Sequence, residues 1–534
     1  MKQKGKVDRA AVASRLMSFQ RKTMAGLVAG CLAGFCAAGA GAADHPKFEL
    51  IGSYTTGLAD PVLELTSGEV AAMKGDKLYV TNASDVSVDI VDVSDPTAPR
   101  RLKRIDLSPY GSEVTSVSVG KGLVAAVVED GTEIGNLVLF SPGGSHLRAV
   151  PVGAGPDMVT FTPDGKRILV ANEGEPSGYL PGDVDPPGSV SIVDLLPRNR
   201  IQVTTLGFAE FDPQGARAAE LPADVRIFGS PLPSLDLEPE YITVSKDGKR
   251  AWVSLQENNA IAVLDLEQLR VLRIDALGYK DHSLPGNGLD ASDRDGGIHI
   301  ESWPNVFGMY QPDGIAAFRV DGHSYVLSAN EGDARDYPGL AEESRLRAST
   351  SDASFGPARD NALAGRLTVT TAFPGAPSEQ TTAYAFGARS FSVWDGENGQ
   401  LVYDSGDALE QITAALHPDN FNSDNAENTF ETRSDNKGPE PEAAATGVID
   451  GRTYGFIGLE RIGGFVVVDL SDPTRPEILD YLNNRNFAQE AVGPDSGPEV
   501  IDFVAANESP IGRPLVVVAN EITGTVSIYA AQSR

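Results

Sequence analysis

Cysteine is nearly absent from this 534-residue chain: Cys31 and Cys36 are the only two. Both lie in the first 43 residues, so the rest can form no disulfide, no thiolate zinc site and no cysteine nucleophile. Histidine is scarce too. His45, His146, His282, His299, His323 and His417 form neither an H-x-H nor an H-E-x-x-H pattern, which removes the zinc-hydrolase signature. No G-x-S-x-G elbow and no Walker loop appear. Bases are outnumbered, 44 Lys and Arg against 74 Asp and Glu, for a net charge of −30. Residues 1–43 carry seven of the bases and one acid, so the remainder stands near −36. Such a surface repels nucleic acid and anionic lipid and favours cations. Beyond residue 43 no apolar run approaches the length of a membrane span.

The first 43 residues read as an export signal. A basic stretch ends at Arg21-Lys22, the apolar run "MAGLVAGCLAGFCAAGA" follows at 24–40, and small residues around Ala40 and Ala42 offer a cleavage site. Export could use the general or the twin-arginine route. The expected location is periplasmic or secreted, with residues 44–534 forming a single domain.

What that domain has in abundance is repetition. "PDMVTFTPDGKRILVANEGE" (156–175) returns as "PEYITVSKDGKRAWVSLQEN" (239–258). The looser mark, a small residue or proline followed by an acid and an apolar strand, occurs seven times, with acids Glu69, Glu113, Asp157, Glu240, Asp313, Glu442 and Glu499. Each is followed by a glycine-containing turn, such as Asp164-Gly165, Asp247-Gly248 or Asp450-Gly451, and Asp-Gly between apolar runs signals a hairpin. A second strand then ends in an amide or acid, at Asn82, Glu129, Asn172, Gln256, Asn330, Glu460 and Asn520. A third strand and, in six units, a more polar fourth complete the pattern. Four antiparallel strands written seven times predict an all-β, seven-bladed β-propeller. The last unit lacks its fourth strand, so "KFELIGSYTT" (47–56) is predicted to supply it and close the ring.

Acid-to-acid spacings of 44, 44, 83, 73, 129 and 57 residues imply insertions at 174–189, 208–238, 278–311, 331–388 and 405–438. These are predicted to be long loops, with a short helix at 407–416 turning Leu409, Ile412 and Leu416 to one side.

The seven acids should gather at one mouth of the central channel. Like charges held close raise one another's pKa or recruit a cation, and Ca²⁺ or another hard divalent ion needs only oxygen ligands. Turn-capping or ion pairing is the competing role. The loops after the second strands carry Glu173, Glu331, Arg335, Asp435, Lys437, Glu440, Glu460 and Arg461, which could converge on one face to hold an anionic ligand beside a metal, or instead lock blade to blade. "GDVDPPGS" (182–189) and "LDASDRDGG" (289–297) have the look of cation loops. The second is no EF-hand, because Ala291 and Ser302 stand at the first and last ligand positions, and it reads as a solvated acidic turn.

"PDMVTFTPDGKRILVANEGEPS", "PDGIAAFRVDGHSYVLSANEGDARDY", "SDNKGPEPE", "GLERIGG" and "RPLVVVANEITGTVSIY" closely resemble the choice-of-anchor I family of exported bacterial proteins. "VDIVDVSDPTAP" (88–99) and "FVVVDLSDPTRP" (465–476) look like LVIVD-type, YVTN-like repeats. The resemblance covers about residues 48–530 and implies an extracytoplasmic propeller. Relatives often bear a C-terminal anchoring signal; none is read before "AAQSR". Some relatives carry an alkaline phosphatase label. Two functions follow as expectations. One is a scaffold that binds a small molecule or a cell-envelope protein, with a cation at the channel. The other is a metal-assisted phosphoesterase at the acid-lined mouth.

Overall fold

The computed structural model describes residues 45–60, 65–372, 380–489 and 491–532. The export signal read over residues 1–43 lies outside the described residues. Among those described, no helix is long and apolar enough to cross a membrane.

The protein is all-β. Seven four-stranded antiparallel sheets follow the chain. Their opening strands are Ala71–Lys74, Glu113–Val119, Pro156–Phe161, Ile242–Val244, Ile315–Val320, Pro441–Ile449 and Pro498–Val504, which number the sheets 1 to 7. Sheet 7 takes its outer strand from the opposite end of the sequence: Phe48–Thr55 pairs antiparallel with Thr525–Ala531, Phe48 facing Ala531.

The repeated Asp-Gly-Lys-Arg phrase is a hairpin turn. In sheet 3 the Asp164 carboxylate accepts from Thr162 Oγ1 and from Lys166 N, and Gly165 takes φ +68° with its N–H on Thr162 O. In sheet 4, Asp247, Ser245, Lys249 and Gly248 make the same contacts. A short acid locks the bend and glycine accepts the left-handed backbone there without a Cβ clash.

The second strands read as unbroken apolar runs because both faces are covered. Ile168 and Val170 pack towards sheet 2, Leu169 and Ala171 towards sheet 4. Such apolar cores lie between all successive sheets, and a further one joins sheet 7, through Val517 and Ile528, to sheet 1, through Met73 and Val80. The opening strands touch in the same order, with Pro498–Val504 meeting Ala71–Lys74. Successive four-stranded meanders packed face to face are the layout of a β-propeller.

The insertions are not all loops. Tyr279–Asp281 and Val306–Met309 join Ala383–Ala385, Thr368–Thr370 and Glu343–Arg345 in a separate five-stranded sheet. It has its own apolar core, including Leu289, Trp303, Val306, Leu346, Phe355 and Leu367. The helix read at 407–416 spans Ala408–Leu416, but its buried residues are Leu409, Glu410 and Thr413, while Leu416 is exposed. Arg389 accounts for this: its Nη1 meets Glu410 Oε1 at 2.6 Å, so a paired charge takes the inner face.

Tyr54, on the strand Phe48–Thr55, donates to Asp89 of sheet 1 at 2.6 Å. Asp89 is fully buried and is also held by Arg104. Tyr54→Phe removes the only hydroxyl of that bond, and a hydrogen bond to a charged group contributes about 1.5–3 kcal/mol. Urea denaturation should show a loss of that size with the native spectrum retained.

Candidate functional site

Three of the acids that open the sheets sit where strand pairing is interrupted. In sheets 3, 6 and 7 the register breaks between Pro156 and Val159, Pro441 and Ala444, and Pro498 and Val500, so Asp157, Glu442 and Glu499 fall inside bulges. A bulge frees one residue from the ladder and re-aims its side chain. Gly314 lets the strands crowd: its N–H meets Glu442 O, and a Cβ there would lie 2.3 Å from that oxygen.

Between these strands lies a cavity of about 530 Å³ bordered by Glu69, Glu113, Asp157, Asp313, Glu499 and Glu521. Burial, then Glu521 and Glu113, push the Glu69 carboxyl up to about 7. Burial, then Glu175, Glu129 and Glu113, do the same to Asp157. Glu240, Asp313, Glu442 and Glu499 are pushed well above the carboxylate range, by burial first and by neighbouring carboxylates second.

A second set of acids follows the second strands. Buried Asn172 and Asn330 hydrogen-bond to serines of the third strand, Asn172 to Ser191 and Asn330 to Ser390 and Ser392. That fixes the turn and sets the next residue, Glu173 or Glu331, beside the hub. Asn520, before Glu521, reaches Ser527 of its third strand in the same way, whereas Gln256, before Glu257, donates instead to Glu331 at 2.9 Å.

Carboxylate oxygens lie within 4.8 Å of one another in three triads, of which the first two join the two sets and the third adds Glu440, just before the opening strand of sheet 6: Glu173, Glu240 and Glu257; Asp313, Glu331 and Glu442; Glu331, Glu440 and Glu460. Their electrostatics differ. The third is compensated by bases. Lys437 Nζ reaches Glu331 at 2.7 Å and Glu440 at 3.2 Å, and Arg461 reaches Glu440 at 2.9 Å and Glu460 at 3.1 Å. Burial works to raise Glu440, yet Lys437, Arg461 and Arg433 hold it down at about 2. The second triad shares Glu331, and hence Lys437. The first triad has no base in ion-pair contact among the described residues. Glu240 Oε2 and Glu257 Oε2 are buried there without any hydrogen-bond partner.

Of the loop residues singled out in the sequence, Glu173, Glu331, Lys437, Glu440, Glu460 and Arg461 are gathered around the hub. Arg335 and Asp435 are engaged elsewhere. Arg335 is fully buried, paired with Asp236 at 2.9 Å and Glu238 at 2.6 Å, and stacked over Phe228. Asp435 binds Arg366 at 2.6 Å and Arg345 at 3.0 Å. Glu257 and Glu521 were missed. Their signal is an acid directly after the terminal amide of a second strand.

A model of the choice-of-anchor I domain matches residues 70–473. Gigasin-3a of Magallana gigas is 31% identical over 187 residues, covering 32% of this chain and 65% of that protein. The mesenchyme-specific cell surface glycoprotein of Strongylocentrotus purpuratus is 28% identical over 297 residues, 48% of this chain and 38% of that one. The chain therefore spans less than two thirds of either relative. Among solved structures, Kuenenia stuttgartiensis hydrazine synthase has a TM-score of 0.44 at 12% identity, covering 87% of this chain and 96% of that one. A streptogramin B lyase has a TM-score of 0.43 at 11% identity, with coverages of 91% and 98%.

Proposed function

The chain belongs to the choice-of-anchor I family, and from that starting point we propose that it is an exported seven-bladed β-propeller that binds a divalent cation, Ca²⁺ by preference, at its hub and acts as a binding scaffold. Support for seven blades and a closed ring comes from the seven four-stranded sheets, from the apolar core shared by sheets 7 and 1, and from the pairing of Phe48–Thr55 with Thr525–Ala531. Support for export comes from the family and from the basic and apolar stretches of residues 1–43.

One observation carries the cation. Glu240 and Glu257 each bury a carboxylate oxygen that no N–H or hydroxyl donor reaches among the described residues, inside a triad with no base in ion-pair contact, the charge of Arg335 acting on Glu257 from farther off. A buried, unpaired carboxylate costs several kcal/mol unless it is neutralised or coordinated. Three carboxylates and no histidine or thiolate form a hard donor set, and Ca²⁺ takes 6–8 oxygens, so positions stay open for water or for an oxygen of a bound partner. Glu173, Glu240 and Glu257 are the ligands in this reading. The second triad is the weaker candidate because Lys437 already neutralises Glu331. No observation at the hub favours the hydrolase reading over binding.

The test is metal content. Protein exhaustively dialysed against metal-free buffer and reloaded with Ca²⁺ should retain at least one equivalent by elemental analysis. The double variant Glu240→Gln with Glu257→Gln should lose an equivalent while keeping its fold. Identical calcium content in wild type and double variant would refute the site.

A further inference from the structure

The bond from Gly314 N–H to Glu442 O, 3.1 Å long, does more than join sheets 5 and 6. It brings Asp313, the residue before Gly314, alongside Glu442 where the two opening strands begin. Glu331, just after the second strand of sheet 5, completes the group: one carboxylate oxygen from each of the three lies within 4.8 Å of the others. Asp313 also borders the hub cavity of about 530 Å³, so a small ion can reach the triad from there.

Of the three acids, only Glu331 is satisfied. Its Oε1 accepts from Lys437 Nζ at 2.7 Å and its Oε2 from the Gln256 amide at 2.9 Å. Lys437 spreads its one charge further, reaching Glu440 at 3.2 Å and Asp333 at 3.9 Å, and it also donates to Gly332 O. No base reaches Asp313 or Glu442 in ion-pair contact among the described residues. Glu442 is only 8% exposed, and its Oε2 is buried without a hydrogen-bond partner. Its neighbour from sheet 7 is Glu499, another acid.

Three carboxylates and one shared ammonium leave two negative charges, which one divalent ion balances. An ion with oxygen ligands at about 2.3–2.6 Å spans oxygens up to about 5 Å apart. We propose that Asp313, Glu331 and Glu442 hold a second hard divalent cation at the hub, independent of the one at Glu173, Glu240 and Glu257. Lys437 and Gln256 are its positioning residues. Each carboxylate oxygen keeps a further lone pair, so their bonds orient Glu331 without blocking it, as hydrogen bonds to a ligating carboxylate ordinarily do. The ammonium makes this site weaker than the first and does not close it. Gln256 precedes Glu257 of the first triad, so a single residue separates the two sites along the chain.

The test uses the full chain in the Glu240→Gln/Glu257→Gln background, which removes the first triad. Ca²⁺ alone is the probe, read by equilibrium dialysis with elemental analysis and by Tm in chelator and in Ca²⁺. The background should hold one equivalent and gain Tm with it. Adding Glu442→Gln should weaken binding at least about tenfold and abolish the gain in Tm. Asp313→Asn, on the adjoining strand, should do the same and guards against a folding fault in the first variant. In chelator at about pH 8 neither variant should melt below the background, since each removes a crowded carboxylate and no partner. The proposal is overturned if the background holds no Ca²⁺. It is overturned if both variants bind as the background does, which would mean that Glu442 and Glu499 share a proton instead. It is equally overturned if both variants melt well below the background in chelator, which would make the two acids structural. One equivalent held equally by wild type and background, and lost with Glu442→Gln, would support this site while refuting the Glu173 triad.

Discussion

Metal-free protein should lose stability as the pH rises from about 5 to about 8, and saturating Ca²⁺ should reverse the loss. The sign follows from the hub. Burial and like neighbours push Glu69, Asp157 and Glu521 up to about 7 in the folded state. Unfolding returns them to the ordinary carboxylate range near 4.5 or below. The folded state therefore holds more protons than the unfolded chain between those values. The stability contributed by these groups is fully present below about pH 4 and disappears as pH rises through about 7. For Glu69 alone the shift corresponds to on the order of 3 kcal/mol. Glu440, held at about 2, works in the opposite sense: its contribution is present above the ordinary carboxylate pKa and is lost only as pH falls towards 2. A cation held by Glu173, Glu240 and Glu257 stabilises the folded state separately at neutral pH, and at 100 times its Kd contributes about 2.7 kcal/mol. Urea midpoints measured with chelator and with Ca²⁺ should diverge as pH rises. Parallel curves would remove the cation from the hub.

Arg335→Ala should be the most damaging single change in the upper loops. The guanidinium is buried against Asp236 and Glu238, donates to Asp236 O as well, and lies over Phe228. Removing it strands two buried carboxylates, and breaking such a pair costs about 3–5 kcal/mol. The loss should appear in the denaturation midpoint. A partial rescue by Asp236→Asn with Glu238→Gln would identify the stranded charges as the cause. An Arg335→Ala protein of wild-type stability would show that the network is expendable.

The scaffold could be read from local chemistry because each blade repeats a local code. Asp-Gly bends, two-sided apolar second strands and terminal amides are all properties of adjacent residues. The acids were legible for the same reason, each following a proline or small residue at a strand start. Other features depend on distance along the chain. The inserted sheet is assembled from strands of three or four residues that pair across gaps as long as that between Val306 and Ala383, too short to show a periodicity. Arg335 and Lys437 look alike in sequence, each a base among acids. Only packing separates the one bound by Asp236 and Glu238 from the one inserted between Glu331 and Glu440. Asp290 reads as a surface acid in sequence, and its burial follows from the packing of its neighbour Leu289 into the core of the inserted sheet.

The pairing of Phe48 with Ala531 has a kinetic consequence. Phe48–Thr55 must wait for Thr525–Ala531, with more than 480 residues between Phe48 and Ala531. Contacts of such long sequence separation form slowly. Until Thr525–Ala531 has left the ribosome, Phe48–Thr55 has no strand to pair with and stays exposed while the intervening sheets can already assemble.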